Sequence, residues 1–168
     1  MKFYVNEKLI SLHNRFYIKD EAGNDVLELS SKVFSIGRKS WIKDLQGNEL
    51  AYMQQEVLHL MPHYNIFIGG QMVCQISKKF KFFKNDYVLS NGYRVDGDWL
   101  ALDFSIYDSN NVFAGSIKRK FISIGDKYEI TIDNEKDYIL ILAIIMAITN
   151  DVNNAQQGSS SAIVSLGD

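Results

Sequence analysis

The sequence predicts a mainly β protein, a closed antiparallel barrel of about 12 strands around a central hydrophobic helix near the C-terminus. Three features of the 168 residues lead to this prediction: a turn motif that recurs between alternating apolar segments, one run that is apolar on every face, and a single proline. The composition is 46% hydrophobic with a net charge of −2 and one cysteine, which fits one folded domain and excludes disordered and disulfide-rich chains.

The turn motif is the first element of this prediction. Lys19-Asp20-Glu21-Ala22-Gly23-Asn24 is repeated as Lys43-Asp44-Leu45-Gln46-Gly47-Asn48, with looser copies at Gly69-Gly70 and at Asp108-Ser109-Asn110-Asn111. Asp, Asn and Gly favour tight turns because they cap the backbone or adopt positive φ, and β-branched or aromatic residues flank these turns. Each copy is therefore interpreted as two strands joined by a turn.

The strands themselves are predicted from period-two alternation. Tyr128, Ile130 and Ile132 share one face, and Leu100, Leu102, Phe104 and Ile106 share another. Asp96-Gly97-Asp98 is interpreted as a further hairpin turn rather than a calcium loop, because the remaining ligand spacing is missing. The single Pro62 suits long antiparallel ladders, since proline removes a ladder donor.

The helix is predicted over residues 134–152. Asn134 is a candidate cap, and the run from Tyr138 to Ile148 is apolar on every side, so it should be buried on every side. A barrel wider than about eight strands has a lumen that such a helix fills. A helix packed on one side of an open sheet is the alternative. The domain is expected to cover residues 1–152, followed by a flexible tail at 153–168.

The repeated Lys-Asp-x-x-Gly-Asn turns, the segment Ser35-Ile36-Gly37-Arg38-Lys39-Ser40-Trp41 and the apolar helix together resemble the LURP-one-related family of the tubby C-terminal-like superfamily, which includes the phospholipid scramblases. The resemblance covers roughly residues 1–152 and implies a 12-stranded tubby-like barrel around a central helix. Tubby relatives bind phosphoinositides through surface Lys and Arg, and scramblases act on membranes. No lipid-binding signature of theirs matches this chain position by position, so no functional residue is carried over.

Two basic clusters are the candidate lipid-binding residues. The first is interleaved with phenylalanines and comprises Lys78, Lys79, Lys81 and Lys84, and the second comprises Lys118, Arg119 and Lys120. Basic residues next to aromatic ones bind anionic headgroups or single-stranded nucleic acid. The alternative is that outward lysines keep a sheet soluble.

Motifs for catalysis are missing from the sequence. There is no Gly-x-Ser-x-Gly, no P-loop and no Gly-x-Gly-x-x-Gly after a strand. His59 and His63 are four residues apart but flank Pro62 in a β context, and Cys74 is interpreted as a small core residue. We therefore predict no catalytic, cofactor-binding or metal-binding residues.

The functional prediction is a non-enzymatic binding or scaffold module, with anionic phospholipid or phosphoinositide headgroups as ligands of the basic clusters. The alternative is a small-ligand carrier or an enzyme with a site at a barrel end. The expected partners are an anionic membrane surface or another protein, and the pI of about 5.9 argues against nucleic acid. With no signal peptide and no spanning segment in the sequence, we expect a cytoplasmic protein, with peripheral membrane association left open.

Overall fold

The computed structural model describes residues 1–6, 15–32, 37–56, 61–79, 86–120 and 127–164, with helix side chains described to Asn153 and at Ala155. These residues form twelve strands, a short 3-10 turn and one α-helix, joined by turns. The strands are β1 (Lys2–Asn6), β2 (Arg15–Lys19), β3 (Asp25–Lys32), β4 (Lys39–Lys43), β5 (Glu49–Glu56), β6 (His63–Ile68), β7 (Gln71–Lys79), β8 (Asp86–Leu89), β9 (Arg94–Asp98), β10 (Asp103–Tyr107), β11 (Phe113–Lys120) and β12 (Lys127–Ile132). The helix α1 spans Tyr138–Val164.

The strands form a closed barrel in which each strand pairs with the next along the chain and β12 returns to β1. The closing ladder is antiparallel and runs from Lys2 opposite Thr131 to Asn6 opposite Lys127. Closure satisfies the edge strands that an open sheet would leave unpaired. The predicted barrel and its strand number are thereby confirmed, and the open-sheet alternative is wrong.

The repeated turns have the same hydrogen-bond geometry in three copies. The backbone N–H of Asn24 donates to Asp20 Oδ1 at 2.8 Å, that of Asn48 to Asp44 Oδ1 at 2.8 Å, and that of Val112 to Asp108 Oδ1 at 2.9 Å. In the first two copies, hydrogen bonds from the asparagine side chain and then the backbone lower the pKa of the aspartate. The sequence repeat is therefore a repeat of aspartate-capped turns.

The helix occupies the interior of the barrel. Asn134 accepts from the backbone N–H groups of Lys136 and Asp137 and so caps a short 3-10 turn, Glu135–Asp137, that leads into α1. Residues 141–148 are each 0–1% exposed, so every face of this segment is covered. Gly115 on β11 permits this contact, because a Cβ there would lie 2.8 Å from Ile141 Cγ2.

The helix is longer than predicted. It continues past residue 152 to Val164, so the predicted end at 152 is wrong, while flexibility of residues 153–168 stays a prediction. Polar residues after Ile148 do not interrupt the backbone hydrogen bonds of the helix, and Gly158 lies within it although glycine costs about 1 kcal/mol relative to alanine. No helix among the described residues has the length and hydropathy needed to cross a membrane.

Two sequence predictions near β9, for a turn and for a buried leucine, are wrong. Asp96-Gly97-Asp98 is not a turn but lies within β9, and the turn to β10 follows at residues 99–102. Leu100 therefore lies in that turn and is 56% exposed, whereas Leu102, Phe104 and Ile106 are buried as expected. Gly97 has a positive φ of 125°, as many turn glycines do, but β9 pairs with β10 on both sides of it, so the chain does not reverse there.

Consecutive strands are antiparallel, so odd strands end and even strands begin at one end of the barrel. We call this end the rim. The opposite end carries the short turns at Gly23, Gly47, Gly69-Gly70 and Gly92, and we call it the turn end. Since β12 finishes at the turn end, α1 enters the barrel there and runs toward the rim.

Candidate functional site

The predicted basic residues separate into an interior lysine and exposed ones. Lys78, near the end of β7, has only 10% of its side chain exposed and lies inside the rim. Its Nζ donates to Asp151 Oδ2 at 2.8 Å and lies 5.1 Å from the Trp99 ring centroid. Lys78 thus differs from the other candidates, because its charge is already matched within the barrel.

Asp151 is the centre of this buried polar cluster. The residue is 4% exposed and belongs to the part of α1 that lies near the rim. Besides Lys78, Tyr87 Oη donates to Oδ2 at 2.7 Å and Tyr64 Oη lies 3.4 Å from Oδ1. Burial, followed by the charge of Asp151, raises the pKa of both tyrosines, so they stay neutral donors. Three donors thus converge on one buried carboxylate, which links α1 to β6, β7 and β8.

A second polar contact lies on β4, three strand positions from β7. Asn150 Nδ2 donates to Ser40 Oγ at 3.3 Å, and Ser40 Oγ lies 3.0 Å from Ser31 Oγ. Asn150 and Asp151 thus reach β4 on one side and β6, β7 and β8 on the other. The apolar segment before them offers no directional contact, so these two residues define how deep the helix sits and how it is rotated.

The helix is also held at its other end. Tyr93 Oη donates to Asp137 Oδ2 at 2.8 Å, and Asn134 Nδ2 donates to the same oxygen at 2.9 Å. Burial and the Asp137 carboxylate raise the pKa of Tyr93 to about 12. Tyr93, in the turn between β8 and β9, therefore contacts the 3-10 turn that leads into α1, and Tyr87 on β8 contacts α1 near the rim.

Most of the described basic residues at the rim lie on neighbouring strands. Strands β11, β12, β1, β2, β3 and β4 are successive neighbours around the barrel. Five of these six strands carry basic residues near the rim, which we call the basic arc: Arg15, Lys32, Lys39, Lys118, Arg119, Lys120 and Lys127. The second predicted cluster is thus part of a larger basic surface that joins residues distant in sequence.

Two glutamates lie within this arc. Lys120 Nζ is 3.4 Å from Glu129 Oε1, and Arg15 Nε is 3.2 Å from Glu28 Oε1. Burial alone would raise the pKa of Glu129, but hydrogen bonds from Tyr4 and Lys120 and the nearby lysine charges outweigh it and lower the pKa. Even so, seven basic groups face two carboxylates, so the arc has a positive net charge.

Lys79 does not belong to the basic arc. It ends β7, three strand positions from β4 and four from β11, which correspond to about 14 Å and about 19 Å at roughly 4.8 Å per strand. Asp86, Asp98 and Asp103 occupy the rim positions of the strands between β7 and β11. The structure therefore does not join the two predicted clusters, and Lys81 and Lys84 lie outside the described residues.

The cysteine and histidines do not form a reactive or metal-binding site in the described part of the chain. Cys74 is 1% exposed, and burial raises the pKa of its thiol, which disfavours the reactive thiolate. His63 Nδ1 lies 2.8 Å from the carbonyl oxygen of Met61, and His13 and His59 lie outside the described residues. No group of three or more metal-ligating side chains occurs among the residues the structure describes.

The sequence interpretation missed the Asp151 cluster. Its members are far apart in the chain, on β6, β7, β8 and α1, so no local motif contains them. One signal was present: an acidic residue three positions after a segment that must be buried on every side. An acid at such a position requires a buried partner, although the sequence alone does not say which lysine supplies it.

A closed antiparallel barrel of 12 strands around one buried helix defines the class of this protein. The chain belongs to the LURP-one-related family, whose model matches residues 1–149. It is similar to the uncharacterized protein YxjI of Bacillus subtilis (strain 168), with 29% identity over 160 residues that cover 95% of this chain and 98% of the relative. The fold is also that of an X-ray structure from Arabidopsis thaliana, with a TM-score of 0.62, 22% identity and 90% coverage of each chain.

Proposed function

We propose that this protein is a non-enzymatic binding module whose basic arc binds anionic phospholipid headgroups at a membrane surface. The observation that carries the proposal is the continuity of the arc over neighbouring strands at one end of the barrel. A rigid barrel holds these side chains on one edge, so several of them can approach a flat charged surface together. A ligand inside the lumen receives no support, because helix residues 141–148 fill it, and the alternative of a small-ligand carrier or an enzyme with a site at a barrel end stays a prediction.

The size of the expected attraction follows from the number of charges. Each Lys or Arg close to an anionic bilayer contributes about 1 kcal/mol, and the attraction decays over a Debye length of about 10 Å at 0.1 M salt. Lys118, Lys39 and Lys127 are suitable residues to test, since they lie on three different strands of the arc. Removing three such charges should weaken binding by about 3 kcal/mol, or roughly 100-fold.

The test is co-sedimentation of the protein with lipid vesicles. Wild-type protein should bind phosphatidylcholine vesicles that contain phosphatidylserine or a phosphoinositide, should bind pure phosphatidylcholine weakly, and should lose binding as salt rises. The variant Lys39→Gln/Lys118→Gln/Lys127→Gln should bind the anionic vesicles about 100-fold more weakly. Comparing phosphatidylserine with phosphoinositide vesicles at equal charge separates a general surface attraction from headgroup recognition.

The matched control removes three lysines from the turn end, Lys19→Gln/Lys43→Gln/Lys136→Gln, and should bind like the wild type. A further variant, Lys79→Gln, asks whether the first predicted cluster contributes from its separate position. Equal binding to neutral and anionic vesicles would contradict the proposal, and so would equal losses in the arc variant and its control.

A further inference from the structure

The weakest junction among strands β5 to β12 lies between β8 and β9. These two strands share one residue pair, Val88 with Arg94, whereas β9 and β10 share five pairs. The comparison covers residues 86–98, because β8 is described from Asp86 onward. A strand with few ladder partners can pair with another chain.

Beyond that pair, Gly97 lies on β9 with a φ of 125°. A Cβ there would lie 2.6 Å from the Asp103 carbonyl oxygen on β10, so only glycine fits this position of the strand.

A cleft of about 530 Å³ lies at this junction, and its lining comes from both strands, from the turn that joins them and from Trp99. This volume lies in the range of about 300–1,000 Å³ that is typical of ligand sites. Tyr87, Leu89, Val95 and Trp99 line the cleft and are themselves buried, so apolar side chains form its floor. Val88 is 42% exposed at its edge.

The margin of the cleft is acidic. Asp86 and Asp96 line it, and Asp98 and Asp103 occupy the adjacent rim positions of β9 and β10. Arg94 is the basic residue in the lining, and its guanidinium is held by Asp96 at 3.1 Å, by Asn111 at 3.0 Å and above the Tyr107 ring. Lys79 lies opposite Asp86 in the β7–β8 ladder, so four aspartates outnumber two basic residues among the described residues around the cleft. The margin therefore has a net negative charge, on the side of the rim away from the basic arc.

We propose that this cleft binds an extended, basic segment of a partner protein. Apolar side chains on one face of the segment contact the floor, and Lys or Arg on the other face pair with the aspartates. Strand β9 is five residues long, about 17 Å, so four to five residues of an extended chain match its length. This is the chemistry of strand addition, in which the main chain supplies affinity and alternate side chains supply specificity.

The charge of the cleft margin distinguishes a basic peptide segment from the other candidate ligands. An anionic membrane surface is repelled by the aspartates, so the cleft is distinct from the lipid-binding surface proposed above. A second copy of this chain is the other protein occupant, and it makes a different prediction, namely a concentration-dependent dimer. The peptide proposal does not depend on lipid binding, since the residues of the cleft and those of the basic arc are different and lie on opposite sides of the rim.

The test uses a labelled decapeptide of alternating valine and lysine, with a valine–glutamate decapeptide as its counterpart. Fluorescence anisotropy with the full-length protein should show saturable, salt-sensitive binding of the lysine peptide and none of the glutamate peptide. The chain has two tryptophans, so Trp41→Phe leaves Trp99 as the sole emitter. Its emission should shift when the lysine peptide occupies the cleft.

The variant Asp86→Asn/Asp96→Asn keeps hydrogen-bond acceptors but removes two charges, and it should weaken binding about tenfold. Glu21→Gln/Glu49→Gln removes two charges at the turn end and should leave binding unchanged. The proposal is overturned if both variants weaken binding equally, if Trp99 emission does not respond, or if ultracentrifugation shows a dimer that excludes the peptide. Vesicle binding by the basic arc should persist in every case.

Discussion

Replacing Asp151 by alanine removes the acceptor of the buried polar cluster. Lys78 Nζ, at 2.8 Å, and Tyr87 Oη, at 2.7 Å, would lose their partner, and the Lys78 charge would remain inside the barrel with 10% of its side chain exposed. Removing one member of a buried ion pair costs about 3–5 kcal/mol, because the remaining charge is uncompensated. That is a large part of a typical total stability of about 5–15 kcal/mol.

Urea and thermal unfolding followed by circular dichroism measure this loss. At roughly 2–4 °C per kcal/mol for a chain of this size, the Asp151→Ala variant should melt about 6–20 °C below the wild type. The double variant Lys78→Met/Asp151→Leu removes both charges and fills the same space with apolar atoms. Its melting temperature should lie much closer to that of the wild type, since a buried pair replaced by packed apolar residues is often neutral.

The double variant also separates charge from volume. If Asp151→Ala lowers the free energy of unfolding by less than about 1 kcal/mol, Lys78 and Asp151 do not form a desolvated ion pair. The same reasoning fails if the double variant is no more stable than the single one, because the penalty would then come from lost packing or from the unpaired tyrosine hydroxyls instead of the unpaired lysine. The matched control is Asp133→Ala, an exposed aspartate just before the helix, for which little change is expected.

Two further predictions concern the helix. Gly115→Ala places a Cβ 2.8 Å from both Ile141 Cγ2 and the Thr131 carbonyl oxygen. The variant should therefore lower the free energy of unfolding by about 1–3 kcal/mol, measured by urea unfolding. An unchanged midpoint would show that the barrel wall adjusts to the extra methyl group at little cost. Deleting residues 156–168 should change the melting temperature by no more than about 2 °C, because Val152 is the last buried hydrophobic side chain among those described, and a large drop would show that this segment packs on the domain.

Local physics explains the parts of the fold that could be predicted from the sequence. The Asp20 and Asp44 turns form from contacts four residues apart, and their capping bonds depend on nothing else in the molecule. Burial alternates at Tyr128, Ile130 and Ile132 because strand geometry places every second side chain on one face. The run after Tyr138 had to be covered on all sides because it has no polar face.

The prediction near β9 was wrong for an instructive reason. Gly97 between two aspartates has the composition of a turn, and the backbone does adopt positive φ there. Whether such a glycine reverses the chain or bends a strand depends on the neighbouring strand, because β10 pairs across it from Asp103 to Tyr107. Long-range pairing overrides the local preference at this position, and Gly97 lies in the lining of the cleft.

The sequence by itself determined the class of fold, the positions of most turns and the identity of the buried helix, because those follow from contacts between near neighbours and from hydrophobic burial. Only the tertiary structure decided that Lys78 is an interior residue paired with Asp151, 73 positions away in the chain. It also decided that the rim is basic on one side and acidic on the other. Those features arise when strands distant in sequence become neighbours on closing the barrel, so no local pattern contains them.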